Sequence, residues 1–186
     1  MRDILKVHRA LFEQLFFSFV RYVKNSSKRH DLNDFISKHG YLIGSRLGLG
    51  FVNRFEQAAG EKSHLTLEKI RFIGKEVWQD LFGKTIDALQ TDHGGVFILL
   101  DHDFQLFQTV SSESSSEENF FLGLYLSFIS SLIHGVASSL LTCQKVRYEV
   151  KAFDPSLTLK QKVHRRSNLL NEGRRAVHFR VEVAEV

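Results

Sequence analysis

The sequence predicts an α+β fold, in which an antiparallel β-sheet packs on one face against several α-helices. Two observations carry this prediction. Apolar residues recur with helical spacing through the first half of the chain, and short strand-like runs appear after residue 90. The patterns follow the order helices, hairpin, helix, strand, strand. Because the 186 residues show no internal repeat, we predict a single domain over 1–186, with a basic inserted connector at about 151–176.

The composition is that of an ordinary globular protein, with 43% hydrophobic and 25% charged residues. Seventeen Phe are many, and such large side chains belong in a core or at an interface. The single Cys143 forms no intrachain disulfide, which indicates a reducing compartment such as the cytosol. Charged residues interrupt the first apolar stretch, so we do not expect a signal peptide.

The first predicted helix runs from Ile4 to Val23, where apolar residues recur at helical spacing. Its apolar face is wider than a helix with one solvent-facing side needs. We therefore expect the core to cover one part and a partner protein to cover the other. The predicted contact residues are Phe12, Phe16, Phe19 and Val20.

The second predicted helix begins after Asp31, a candidate N-cap, and ends near Phe55. Gly40 and Gly44 lie four residues apart on one face of this helix. Each glycine costs about 1 kcal/mol relative to alanine, so we expect a close backbone contact at this face.

The third predicted helix runs from Thr66, as its cap, through Leu81, after a loop at Gln57–His64. A turn at Asp92–Gly95 then precedes a buried strand at Val96–Leu100.

We expect that strand to return as a hairpin through Phe104–Val110. A loop at Ser111–Glu118, an apolar helix at Phe120–Leu141 and strands at Val146–Phe153 and Val177–Val183 complete the chain.

The apolar helix at 120–141 contains no Asp, Glu, Lys or Arg and is long enough to span a bilayer. A single-span membrane protein anchored by 120–141 is therefore an alternative. Two features favour burial inside protein instead. Strand patterns lie on both sides of the helix, and a membrane would separate them. The helix also has a small, mildly polar seam on one face, made of Gly123, Ser127, Ser130, His134 and Ser138.

Metal-capable side chains cluster around the predicted hairpin, at His93, Asp101, His102 and Asp103. They lack the three or four ligands at defined spacing that metal sites need, and Asp is common in turns. A small metal-dependent enzyme is thus a second, weaker alternative. No nucleophile-elbow, P-loop, dinucleotide or zincin motif occurs, so we predict no enzyme activity, no metal and no cofactor.

Positive charge is concentrated in the connector, above all at Lys160, Lys162, Arg165 and Arg166. Such a run is typical of a solvated loop or of contact with an acidic partner. The stretch 160–175 contains no Phe, Tyr or Trp, so the sequence does not predict a nucleic-acid partner. Peripheral contact with an anionic membrane is the remaining candidate.

Four segments between about Leu32 and Val150 occur in a characteristic order. They are GYLIGSRL (Gly40–Leu47), IRFIGKEVW (Ile70–Trp78), TDHGGVFILLDHDFQLF (Thr91–Phe107) and LYLSFISSLIHGVASSL (Leu124–Leu140). Together they resemble one family, the small core subunits of the transport protein particle (TRAPP), subunit-six type. A related subunit type carries an acylated cysteine, but Cys143 does not lie at that motif, so acylation is not carried over.

The resemblance implies a non-catalytic, cytoplasmic subunit that forms a heterodimer with a sister TRAPP subunit inside a larger particle. The particle as a whole activates a Rab GTPase by nucleotide exchange, and acts at the endoplasmic reticulum and cis-Golgi in transport between them. The Rab GTPase would contact this chain only through the whole complex. The predicted excess of apolar helix surface agrees with such an obligate partner.

Overall fold

A computed structural model of the chain describes residue 18 and residues 32–60, 65–92, 94–102, 104, 115–141, 145–153 and 176–184. The predicted α+β fold is confirmed in this part of the chain. Apart from residue 18, the predicted first helix lies outside the described residues, as do Cys143 and residues 154–175 of the predicted connector. The remaining connector residues, 151–153 and 176, belong to the strands on either side of it. The helices are α1 (Leu32–Ala59), α2 (Thr66–Phe72, continued by Ile73–Val77 and Trp78–Phe82) and α3 (Ser115–Leu140); the strands are β1 (Ala88–Thr91), β2 (Val96–Asp101), β3 (Lys145–Phe153) and β4 (Ala176–Ala184).

The strands form one antiparallel sheet in the order β1-β2-β4-β3. β4, the last strand in sequence, lies between β2 and β3, with Phe179 opposite Leu99 on one side and Val150 on the other. β3 pairs with β4 along its whole length, from Lys145 opposite Ala184 to Phe153 opposite Ala176. The two C-terminal strands therefore match their predicted ranges to within one residue.

The predicted hairpin is wrong about which strand pairs with β2. One edge of β2 bonds to β1 and the other to β4, so neither edge remains for Phe104–Val110. Phe104 is buried outside any strand, and residues 105–110 are not among the described residues. β1 was missed because its four residues are half-buried or exposed, without the apolar alternation that predicts a strand.

The turn predicted at Asp92–Gly95 joins β1 to β2. The Asp92 carboxylate accepts hydrogen bonds from the Gly94 N–H (2.9 Å) and the Val96 N–H (3.2 Å), a local bond that favours the turn. Gly95 has a φ of 84°, which glycine adopts without steric cost. Its carbonyl accepts the Val183 N–H at 2.8 Å, so the turn is tied to β4.

Helix α2 contains a π-helical turn at Ile73–Val77 that the sequence did not predict. The Trp78 N–H bonds to the Ile73 carbonyl, five residues back, and to the Lys75 carbonyl. The Gly74 carbonyl instead accepts the Ile86 N–H at 3.0 Å, from the segment that leads into β1. Because of the π-helical turn, the Gly74 carbonyl accepts a hydrogen bond from the segment before β1 rather than from its own helix.

Several predicted helix boundaries are also corrected. The predicted loop at Gln57–His64 begins too early, because α1 continues to Ala59. Part of the predicted Ser/Glu loop is helical, because α3 begins at Ser115. The N-cap of α2 is Leu65 and no side chain caps it, so Thr66 is the first helical residue rather than the cap.

The helices cover the inner face of the sheet, where Val177, Phe179 and Val181 of β4 are buried. Trp78 lies at the centre, with its ring centroid 4.9 Å from that of Phe179 and edge-on to it. One helical stretch in the described part, Phe120–Leu140 of α3, is long and apolar enough to cross a membrane, and half of it is buried within the protein. The strands before and after α3 join the same sheet, which supports the interpretation as a core helix.

Candidate protein-interaction surface

Helices α1 and α3 cross with their backbones in contact, and glycines make this possible. A Cβ atom at Gly40 would lie 2.6 Å from the Phe128 carbonyl oxygen. A Cβ at Gly44 would overlap the backbone of Leu132. On the other helix, Gly135 of α3 lies equally close to the backbone of α1, near Tyr41 and Ser45. The predicted close contact at Gly40 and Gly44 is therefore confirmed, and it fixes which face of α1 points inward.

A hydrogen bond fixes the relative position of the two helices at this crossing. The Ser139 hydroxyl donates to the Ser45 carbonyl of α1 at 3.0 Å, and lies 3.2 Å from the Gly135 carbonyl of its own helix. The half-buried His134 ring meets Tyr41 edge-on at 4.9 Å between centroids. Burial lowers the pKa of His134, which favours the neutral ring at this contact.

The face of α1 opposite the glycines is apolar and open to solvent. Phe35, Leu42 and Leu49 lie seven residues apart, which places them along one line of the helix. We call these three residues the outer stripe. Their exposed fractions are 41%, 48% and 66%, although they are large and apolar. Tyr41, Ile43 and Leu47 are also exposed on the same helix.

This concentration of exposed apolar residues on one helix is a candidate interaction surface. Single exposed apolar side chains are normal on a protein, whereas contiguous patches mark binding sites. The first and last residues of the outer stripe, Phe35 and Leu49, are 14 residues apart, or about 21 Å along the helix. The glycine side of α1 is covered by α3, and the outer stripe lies on the side of α1 that faces away from α3. Helix α1 thus has one packed face and an opposite face with exposed apolar residues.

Asp101, one of the metal-capable residues of the sequence, has a structural role in the fold. Asp101 is fully buried at the end of β2. Its carboxylate accepts the Trp78 Nε1–H at 2.9 Å and the Lys84 ammonium at 2.7 Å. Lys84 also contacts Asp87 at 3.3 Å. This network joins α2, the loop after it and β2.

Both partially exposed members of this network favour their charged forms. Burial works to lower the pKa of Lys84, but the bonds and charges of Asp101 and Asp87 raise it overall. Burial likewise works to raise the pKa of Asp87. The His102 backbone N–H at 2.7 Å and Lys84 outweigh that effect and hold the Asp87 pKa below its ordinary value.

Acid should therefore weaken the fold through Asp87. Its pKa is lower in the folded chain, so its contribution is present above the unfolded pKa of about 3.9 and is lost as pH falls through the folded value. We expect Asp87→Asn to reduce the loss of stability between pH 6 and pH 3, measured from urea midpoints. The exposed Glu56→Gln is the control. An unchanged acid dependence in Asp87→Asn would contradict this assignment.

The other residues considered for metal binding do not form a site in the part of the chain described here. Within it, no group of three or more His, Cys, Asp or Glu side chains is placed to hold a metal ion. His102 is exposed, with its ring 6.4 Å from that of His178 between centroids. His93 and Asp103 lie outside the described residues.

The predicted interface and lipid-contact residues also lie outside the described residues, and they stay predictions. They are Phe12, Phe16, Phe19 and Val20 for the interface, and Lys160, Lys162, Arg165 and Arg166 for the lipid surface. The outer stripe was not among the predicted contacts. Its seven-residue spacing opposite Gly40 and Gly44 was visible in the sequence. That spacing becomes informative only once the glycine face is known to point inward.

Comparison with known proteins agrees with this architecture. The sequence model of the family described as "Transport protein particle (TRAPP) component" matches residues 12–167. The chain is 28% identical over 131 residues to trafficking protein particle complex subunit 6b of Danio rerio, covering 70% of this chain and 82% of that protein. It is 36% identical over 99 residues to subunit 6B of Homo sapiens, covering 53% of this chain and 60% of the human protein.

A solved structure shows the same fold. It is a trafficking protein particle complex subunit 3 from Naegleria fowleri, which is covalently bound to palmitic acid in that structure. It matches with a TM-score of 0.64 and 16% identity, and the match covers 97% of each chain. The family match extends over most of the sequence, and the curated relatives named above are both of the subunit-six type. The chain therefore belongs to the TRAPP component family, and within it to the subunit-six type.

Proposed function

We propose that this protein is a non-catalytic structural subunit of a TRAPP-like vesicle-tethering complex, and that it forms a heterodimer with a sister subunit through the outer stripe. The observation that carries the proposal is the line of exposed Phe35, Leu42 and Leu49 opposite a glycine face that is already covered. Family membership supports the complex, and the stripe supplies a surface for one of its contacts.

Burial of this surface would supply part of the energy of a specific contact. Fully burying one Leu or Phe side chain is worth roughly 1.5–3 kcal/mol. Phe35, Leu42 and Leu49 remain between 41% and 66% exposed, so their burial supplies a few kcal/mol before neighbouring contacts are added. Residues such as Ile43 and Leu47 flank them and extend the patch. A few residues near the centre of an interface commonly carry most of its binding energy, and Leu42 lies at the middle of this patch.

At the level of the particle, we propose a role in Rab GTPase activation during transport from endoplasmic reticulum to Golgi. In this proposal the Rab GTPase binds only the assembled complex, and no residue of this chain performs the exchange. The chain would be cytoplasmic and peripheral at the endoplasmic reticulum and cis-Golgi. The basic residues Lys160, Lys162, Arg165 and Arg166 would touch anionic lipid, and Phe12, Phe16, Phe19 and Val20 would add to the subunit contact.

Affinity purification of the tagged chain from its native cells tests the proposal. We expect the other TRAPP subunits to co-purify in stoichiometric amounts. Purified complex should accelerate nucleotide release from a Rab GTPase, while the isolated chain should not. A chain that purifies alone, without any TRAPP subunit, would refute the proposed function.

A single substitution tests the surface itself. We expect Leu42→Asp to weaken binding of the sister subunit by about 2 kcal/mol, or roughly thirtyfold, because it places a charge at the centre of an apolar contact. Leu65→Asp is the matched control, since Leu65 is 42% exposed compared with 48% for Leu42 and lies outside α1. Isothermal calorimetry measures the affinity of each variant for the sister subunit. Equal losses in both variants would show that the outer stripe is not the contact.

A further inference from the structure

We propose that the partner surface covering the outer stripe carries carboxylates opposite Lys38 and Arg46, and that these charges accelerate and select the pairing. This inference rests on the proposed function and adds the chemistry of the partner to it. The occupant is thus an acidic-rimmed apolar protein surface. The two cations are the only formally charged side chains between Phe35 and Leu49.

The two cations are placed symmetrically about the middle of the outer stripe. Lys38 precedes Leu42 by four residues and Arg46 follows it by four, so each lies about one helical turn, or roughly 6 Å, from Leu42 along the axis. Both side chains are exposed on the outward side of α1. A surface that covers Leu42 therefore also meets both cations at the edge of the contact.

Neither cation is neutralised within the described part of the chain, where Lys38 and Arg46 make no ion pair. Other cations nearby are neutralised. Arg54, further along α1, pairs with Asp80, and Arg71 of α2 pairs with Glu68 at 2.6 Å. Unpaired charge next to an exposed apolar line is the pattern expected where the complementary charge comes from another molecule.

The same positions argue against a second copy of this chain as the occupant. A symmetric dimer centred on Leu42 would use the same face of both copies. A contact with α1 antiparallel to its copy would place Lys38 of each copy near Arg46 of the other. Like charges in contact weaken an interface, so this symmetry is unfavourable. A different surface with carboxylates at these two places has no such penalty.

Because the cations lie at the edge of the contact, their main effect should be on the association rate and its salt dependence. We expect the double variant Lys38→Glu with Arg46→Glu to bind the co-purifying sister subunit about tenfold more slowly than the natural chain at 50 mM salt. The difference should narrow towards 500 mM salt. The dissociation rate should change much less, since the apolar stripe is intact.

The control is Lys69→Glu with Lys75→Glu, which makes the same change in net charge on α2, away from the outer stripe. Biolayer interferometry measures both rates, and thermal melts verify that each variant is folded. We expect the control to associate within about twofold of the natural chain. Exchanging a partner carboxylate for Lys should restore the rate of the Lys38→Glu, Arg46→Glu variant, which would identify the opposing group.

The outcomes separate this inference from the proposed function. If the sister subunit binds but the Lys38→Glu, Arg46→Glu variant and the control associate equally fast, the charge proposal is wrong and the subunit role stands. If no TRAPP subunit binds the natural chain, both are wrong. The Lys38→Glu, Arg46→Glu variant could instead lose binding to phosphatidylserine vesicles, or alter self-association in sedimentation, while subunit pairing is unaffected. The cations then serve a membrane or a second copy, and the proposal fails.

Discussion

Replacing Gly44 by Ala should destabilise the fold by about 3 kcal/mol, the upper end of the usual cost of overpacking. The added methyl group has no free space, because it would overlap the carbonyl oxygen, carbonyl carbon and Cα of Leu132. A backbone cannot rotate away as a side chain can, so α1 and α3 must move apart. For a chain of this size the loss corresponds to a fall in melting temperature of about 10 °C, which calorimetry measures.

The matched control is on the same helix. Gly50 is exposed, and a Cβ there would meet nothing within 4 Å. Gly50→Ala should therefore stabilise the protein by up to about 1 kcal/mol, because alanine loses less conformational freedom in a helix. Opposite signs for the two substitutions would establish that contact with α3, rather than helix propensity, explains Gly44. A tolerated Gly44→Ala would disprove the close crossing.

Replacing Asp101 by Ala should cost about 3 kcal/mol, the lower end of the range for removing one partner of a buried pair. The substitution leaves the Trp78 N–H without its acceptor and removes the closer carboxylate from Lys84. The cost lies at the lower end because the Lys84 side chain is 23% exposed and water can partly solvate it. Urea unfolding monitored by Trp78 fluorescence measures the change.

Two further variants identify the physical cause. Asp101→Leu combined with Lys84→Met should be less destabilised than Asp101→Leu alone, because no charge is then left half-buried. Glu182→Ala, which removes an ion pair to Arg180 with both side chains 46% exposed, should cost less than about 0.5 kcal/mol. If Asp101→Ala is as mild as Glu182→Ala, the buried network contributes little to stability.

The sequence was most informative where local pattern and packing agree. Residues Val177–Val183 alternate between buried and more exposed positions, so their period of two predicted β4 directly. Gly40 and Gly44 predicted a close contact because no other reason offsets their cost inside a helix. α3 was found from its long apolar run, and its burial followed from the strands on either side of it.

The features that the sequence did not predict depend on contacts between residues that are distant along the chain. β1 is held by pairing with β2 rather than by burial, so its residues carry little pattern. The π-helical turn depends on a bond from Ile86 to Gly74, twelve residues away, which no local rule contains. The outer stripe is similar: Phe35, Leu42 and Leu49 became a candidate surface only when the packing of Gly44 showed which side of α1 faces solvent.

The position of β4 in the sheet has a consequence for protein synthesis. Residues that pair across β2 and β4, such as Leu99 and Phe179, are separated by 80 residues, and contacts this distant form slowly. While the ribosome has not yet released β4, Phe97 and Leu99 lack the strand that pairs with them. The nascent chain then exposes the apolar surface of an unpaired strand. Chains in this state aggregate readily and are typical substrates of chaperones. The sheet is therefore expected to be completed only after β4 has been synthesised.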